Sequence, residues 1–455
     1  MPEETIETPD ELSHVSDDDA KQVGSVSVDA AASDPAGPIH REFPSVSPRP
    51  AEFEFHQERF DRMAERFRDR GVLKKLIDWR KGIAWNAEME PEDFAHQEAL
   101  RDDAYFERKK DEEFQAWQKN LQVVIEHLKE KQDPANPEGQ KRKILLLVMG
   151  GGMKGPYSAG QVLGLNAIGM GEDFDTIVGI SAGAGTAAYF TAGPEQTRLG
   201  ASLFYEECTT KDFIDMRRVR QIMDVDFVID RLREGEKKLD QQAIMDSDKE
   251  LYVVATDAET LESSLINAKT AKPDMLSALH ASMSAPIVYR EAVEVNGGKY
   301  IDGAFDPMPI KKIIDELQPT DILILPNTPF DRMDSFETTP GEYFFSELLQ
   351  AASKIAPLAS LGRDLAPLGS LGTVEKFLSA KQQIRKSLEF IQKQTGVSIG
   401  ILWPPDSGLT NVGTNPDAVQ AAELESARGT IEAFGEPQPH EIKLYHHKEP
   451  MPAGL

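Results

Sequence analysis

The sequence predicts an α/β layered domain with a mainly parallel central sheet, and three observations predict it. Ile144, Leu145, Leu146, Leu147 and Val148 form a short, wholly apolar run, which suits a strand buried on both faces of a parallel sheet. Similar runs recur at 176–180, 251–256, 321–325 and 398–402, with helical stretches between most of them. Alternation of strand and helix is the mark of layered α/β architecture. The first two runs each lead into a glycine-rich turn and then a helix, a geometry that exposes backbone amides and side chains at the strand ends.

Read in order, residues 1–50 form an acidic tail. The first 40 hold ten carboxylates, one Lys and no aromatic residue, too little to bury against the entropy of ordering. Residues 51–138 read as a helical region: Phe60, Met63 and Phe67, and then Phe114, Trp117, Leu121, Val124 and Leu128, fall at helical spacing. Pro134 and Pro137 end it. These helices are expected to pack on the main domain. The α/β domain itself is expected over 140–435, interrupted by a helical insert at about 341–395 in which Ala356 to Gly362 and Ala366 to Gly372 nearly repeat. The insert reads as core packing, or as a lid or acyl-chain groove. A C-terminal tail, 436–455, completes the chain.

The formal charge of −27 argues against nucleic acid as the main partner and against broad docking on anionic lipid. Arg217, Arg218 and Arg220 are a local basic cluster that reads as a solvated helix face. The single cysteine, Cys208, permits no intrachain disulfide, fits a reducing compartment and reads as a small buried hydrophobe. There is no basic-then-apolar leader pattern at the N-terminus. No uninterrupted apolar run reaches the ~20 residues that span a bilayer. A cytoplasmic protein, peripheral to a membrane when it meets a lipid, is expected; secretion without a cleaved signal remains open. The acidic tail suggests no particular protein partner.

Three motifs carry chemistry. Gly150-Gly151-Gly152-Met153-Lys154-Gly155 follows the first apolar run. Adjacent glycines turn tightly and leave N–H groups unshielded, so they can cradle an anion. The pattern also satisfies G-x-G-x-x-G, but Asp173 and Asp175 lie before the second strand, where a dinucleotide site wants its acid after it. No Ser or Thr follows Lys154, which excludes a P-loop. The second motif, Gly179-Ile180-Ser181-Ala182-Gly183, is the one G-x-S-x-G in the chain. With a strand before it and a helix after it, it is a nucleophile elbow, presenting the serine hydroxyl at the positive end of a helix.

A serine nucleophile needs a base. Among nine histidines, His14, His40, His56, His96 and His127 precede the elbow, and His280 sits in an apparent helix. His440, His446 and His447 follow in the order of an α/β-hydrolase triad, so one of them is a candidate. The third motif offers another base: Asp302-Gly303-Ala304 follows an apparent hairpin turning through Asn296-Gly297-Gly298. Asp-Gly alone is usually only a turn; its place after the other two motifs makes it a second candidate.

Together the three motifs, with the small-residue stretch Ala281-Ser282-Met283-Ser284-Ala285-Pro286, resemble the signatures of the patatin-like phospholipases. The resemblance runs from about 143 to 310, and more weakly to about 435. It implies a three-layer α/β/α sandwich and a Ser–Asp dyad without histidine, with Ser181 as nucleophile and Asp302 as base. The amides of Gly150, Gly151, Gly152 and Met153 would form the oxyanion loop. Lys154, Gly155, Gly179, Gly183, Gly303 and Ala304 would support the motifs. Met149 is a departure, standing where many members have Asp before the glycines, and it leaves open what braces the loop.

The expectation is hydrolysis of fatty-acyl esters of phospholipids or related lipids, with no metal or other cofactor; no carboxylate group has EF-hand spacing. Two rivals stand beside it: a Ser–His–Asp esterase using a C-terminal histidine, and a lipid-binding or interaction protein with a vestigial site.

Overall fold

The computed structural model describes residues 103–215, 218, 223–260, 262–285, 292–303, 309–333, 395–410, 413–435, 442 and 444. The acidic tail, the helical stretch before residue 103, residues 341–394 of the insert, Ala304, Arg217, Arg220, His440, His446 and His447 lie outside them.

In chain order the principal elements are α1 (Asp103–Gln132), β1 (Ile144–Val148), α2 (Gly155–Ala167), β2 (Thr176–Ile180), α3 (Ala182–Thr191) and α4 (Pro194–Glu206). Then come α5 (Val225–Arg233), α6 (Gln241–Asp246), β3 (Glu250–Asp257), β4 (Ser263–Asn267), α7 (Met275–Met283), β5 (Val293–Val295) and β6 (Gly298–Asp302). The last are α8 (Ile310–Leu317), β7 (Asp321–Leu325), α9 (Phe330–Met333), β8 (Ser398–Ile401) and α10 (Pro416–Ala433).

The eight strands form one mixed sheet in the order β5-β6-β3-β2-β1-β7-β8, with β4 also on β3. Strands β3, β2, β1, β7 and β8 run parallel, whereas β4, β5 and β6 add antiparallel pairings at one side. Helices cover both faces. The apolar run of β1 explains why: Ile144, Leu146 and Val148 enter one core with α2, α3, α4, α7 and α10, while Leu145 and Leu147 enter a second core with α8. The two-residue period of a strand sends alternate side chains to opposite layers. This is the layered α/β/α arrangement expected from the sequence.

Helix α1 belongs to both cores rather than standing apart. Leu121, Val124, Ile125 and Leu128 join the first and Trp117 the second. Its close approach to β8 uses Gly400, whose missing Cβ would sit 3.1 Å from Val124 Cβ. Phe114 and Trp403 both pack on Phe330, with ring centroids at 5.1 and 5.4 Å. The β5–β6 hairpin turns through Asn296 and Gly297, at φ 53° and 82°. Positive φ at both turn residues is the condition of a type I′ turn, for which Asn-Gly is the favoured pair.

The register of β3 matters most for the site. Residues 252–254 pair with both β2 and β4, so those two strands flank β3 on opposite edges. Residues 255 and 256 pair with both β4 and β6, which likewise lie opposite each other. Strands β2 and β6 therefore share one edge of β3 and meet on it end to end. β2 finishes with Ile180 opposite Val254, and β6 finishes with Asp302 opposite Ala255.

Candidate active site

That register puts Ser181, the residue after β2, beside Asp302, the residue that ends β6. Ser181 Oγ donates to Asp302 Oδ2 at 2.7 Å. The carboxylate is 2% exposed, and Ser181 is only partly covered. The serine is thus open to a substrate from one side and backed by an acceptor shielded from bulk water.

Ser181 has φ 52° and ψ −130° and immediately precedes α3. A non-glycine residue held there stores on the order of 1–3 kcal/mol and persists only where its surroundings fix it. The surroundings do so. The Ser181 amide donates to Ser282 Oγ at 3.0 Å, and that buried hydroxyl donates to Val254 O at 2.6 Å. Asp302 is fixed in the same way: its amide donates to Ser284 O at 3.1 Å, and its carbonyl accepts from Thr256 Oγ1 at 3.0 Å. The small-residue stretch at the end of α7 therefore holds the backbones of both Ser181 and Asp302.

The glycine loop lies against the elbow. A Cβ on Gly150 would fall 2.4 Å from Ser181 Cβ and 2.6 Å from Ile180 O, so only glycine allows the loop this close. Gly183, in the first turn of α3, meets the same strand end: its missing Cβ would lie 2.3 Å from Val148 O. Gly152 takes φ +57°, Met153 is fully buried, and Lys154 donates its amide to Gly151 O at 3.1 Å. Among the described residues no hydrogen bond engages the amides of Gly151, Gly152 or Met153. Gly155 opens α2, Gly179 lies within β2, and Gly303 directly follows Asp302, its missing Cβ 2.2 Å from Val254 O.

Other residues singled out in the sequence lie elsewhere. His127 Nδ1 is 2.5 Å from Asp321 Oδ1, and Asp321 begins β7, at the end of that strand away from the glycine loop. His280 lies 3.4 Å from Asp226. Arg218 is engaged by Asp224 at 3.3 Å. Cys208 is buried, and burial pushes its thiol pKa up, away from reactivity. Among the described residues, no group of His, Cys, Asp and Glu has the arrangement of a metal site, and no helix is long and apolar enough to cross a membrane.

Sequence reasoning missed Asn327, just beyond β7, although a polar residue past the carboxyl end of a parallel strand is where ligand sites gather in α/β sheets. Its side chain donates to Met149 O and accepts from Ser158 N at 3.2 Å. The loop bracing left open by Met149 is thus supplied from β7.

Residues 146–314 match the family model described as patatin-like phospholipase. The resemblance read from the three motifs is borne out by that match. An uncharacterized protein of Escherichia coli, YjjU, is 28% identical over 179 residues, which are 38% of this chain and 49% of that protein. The chain thus spans about half the length of that relative. Among solved structures, VipD from Legionella pneumophila aligns over 65% of this chain and 67% of its own, at 12% identity and a TM-score of 0.32. The matched stretch takes in the glycine loop, the elbow at Ser181 and Asp302.

Proposed function

We propose that this protein is a serine acyl hydrolase that cleaves fatty-acyl ester bonds of phospholipids or related lipids through Ser181, Asp302 and an acyl-enzyme. The observation that carries the reading is the 2.7 Å hydrogen bond from Ser181 Oγ to a buried carboxylate at a strained elbow. Ser181 Oγ attacks the ester carbonyl carbon and gives its proton to Asp302. The carbonyl π electrons move to oxygen, and the amides of Gly151, Gly152 and Met153 receive that oxyanion. Each such donor contributes roughly 3–4 kcal/mol in comparable sites. Collapse of the tetrahedral intermediate breaks the ester C–O bond, and Asp302 returns the proton to the departing alkoxide. Water then attacks the acyl-enzyme, its proton passing to Asp302 and on to Ser181 as the fatty acid leaves. No step requires a metal or other cofactor.

The test is fatty-acid release from mixed phospholipid and lysophospholipid vesicles by wild type, Ser181→Ala and Asp302→Asn. An amide at 302 can donate to Oγ but is too weakly basic to take its proton. Wild-type release with both variants silent is expected. Full activity in folded Ser181→Ala would end the proposal, and full activity in Asp302→Asn would remove the dyad from it.

A further inference from the structure

Asn327 spans the glycine loop from outside it. The loop leaves β1 at Met149 and enters α2 at Gly155, and Asn327 binds Met149 on one side of it and Ser158, in the first turn of α2, on the other. Its Nδ2 donates to Met149 O, and its Oδ1 accepts from Ser158 N at 3.2 Å. One partner is a carbonyl and the other an N–H, which fixes the orientation of the amide. The Met149 amide donates to Leu325 O at 3.0 Å, so both polar groups of the residue before the glycines are tied to the end of β7. Asn327 is 3% exposed. Its Cβ would lie 3.1 Å from a Cβ on Gly151, so it also limits where the loop can lean.

We infer that Asn327 is a positioning residue for the oxyanion loop, clamping its entry and exit so that the amides of Gly151 to Met153 stay directed at the developing charge. The inference rests on the function proposed above. Asn327 does not touch the substrate. Its contribution appears in the transition state, because only there do the loop amides meet the negative charge developing on the substrate oxygen.

Three variants test it: Asn327→Asp, which keeps shape and the acceptor for Ser158 but loses the donor to Met149; Asn327→Ala, which loses both; and Asn327→Ser, which retains a short donor. Each is assayed for kcat and KM on a soluble acyl ester. Each is also assayed for affinity toward a trifluoromethyl ketone, to which Ser181 adds to give a tetrahedral oxyanion. We expect kcat to fall about 10- to 100-fold in Asn327→Asp and Asn327→Ala, with KM changed less than about threefold. Affinity for the ketone should fall in proportion to kcat, and Asn327→Ser should be the mildest variant. Unchanged kcat and ketone affinity in a folded Asn327→Asp would overturn the inference. Equal losses in KM and ketone affinity would do so too, as would failure of all three variants to fold, since a local clamp is not needed for the fold. Failure of the underlying reading is separately visible, as wild-type turnover that Ser181→Ala does not abolish; the inference would fall with it.

Discussion

Replacing Gly183 by Ala, with Gly185→Ala as its control, asks whether the elbow is held by close backbone packing. Both glycines lie in α3, where Ala is intrinsically better by roughly 1 kcal/mol. Their surroundings differ. A Cβ at 183 would sit 2.3 Å from Val148 O and 2.7 Å from Met149 O. The shorter contact is about 1 Å inside ordinary van der Waals distance, and both opposing atoms are backbone, which cannot rotate away. A Cβ at 185 would meet only Met283 Cε, at 3.1 Å, the tip of a flexible side chain. Overpacking of this kind costs about 1–3 kcal/mol, so Gly183→Ala should lose stability despite its better propensity. Gly185→Ala should stay within about 1 kcal/mol of wild type. Relief of the clash moves Val148 and Met149, which lead into the glycine loop, and a displacement of about 1 Å there lowers turnover about 100-fold. Urea unfolding and fatty-acid release, measured on both variants, read the two effects separately. Equal stability and equal turnover in the two variants would refute the packing argument.

Further expectations follow from other contacts. Ser282→Ala removes the acceptor of the Ser181 amide; stranding a buried donor costs about 1–3 kcal/mol, so both the urea midpoint and kcat should fall. Trp117 is 1% exposed, and its indole nitrogen has no hydrogen-bond partner among the described residues. Trp117→Phe should therefore be mild, whereas Trp117→Ala should cost about 3–5 kcal/mol by chemical denaturation. Glu423 is wholly buried; burial, and then the nearby Glu206, hold its pKa well above 4.5, with Lys237 opposing. A carboxyl raised in the folded state keeps a proton that the unfolded chain has released. Stability from this group is therefore lost as pH rises from the unfolded value toward the folded one. The melting temperature of Glu423→Gln should gain on wild type as pH rises above 4.5, the ordinary value; a difference constant with pH would contradict this.

Much of the layered core was legible because its strands are buried on both faces, so the run that became β1 is wholly apolar and that of β7 is apolar after Asp321. Strand β4 was not, because Ser263-Ser264-Leu265-Ile266-Asn267 is partly exposed and is held by antiparallel pairing along β3. The boundary expected near residue 140 reflected a change in pattern, from helical to strand periodicity. Trp117 and Leu121, on the helical side of that boundary, lie in the cores of the same sheet. The residues of the candidate site were legible as motifs, and the pairing of Ser181 with Asp302 was implied by the family resemblance alone, not by their spacing. Ser181 and Asp302 come together because β2 and β6 end on one edge of β3, and strand register of that kind leaves no local trace in the chain. Ser282 stood in a recognised stretch, but its task appears only once α7 is packed. Asn327 is a lone amide after a strand, and its partners at 149 and 158 are far away in sequence.

The central claim, that Ser181 is a nucleophile whose proton goes to Asp302, is tested most directly by covalent labelling. An alkyl fluorophosphonate would be added to wild type, Ser181→Ala and Asp302→Asn, and adduct formation followed by intact mass and peptide mapping. The account predicts one adduct per chain on Ser181, none in Ser181→Ala, and labelling slowed about 100-fold or more in Asp302→Asn. An adduct on another residue, or labelling of Ser181 at an undiminished rate in Asp302→Asn, would contradict it.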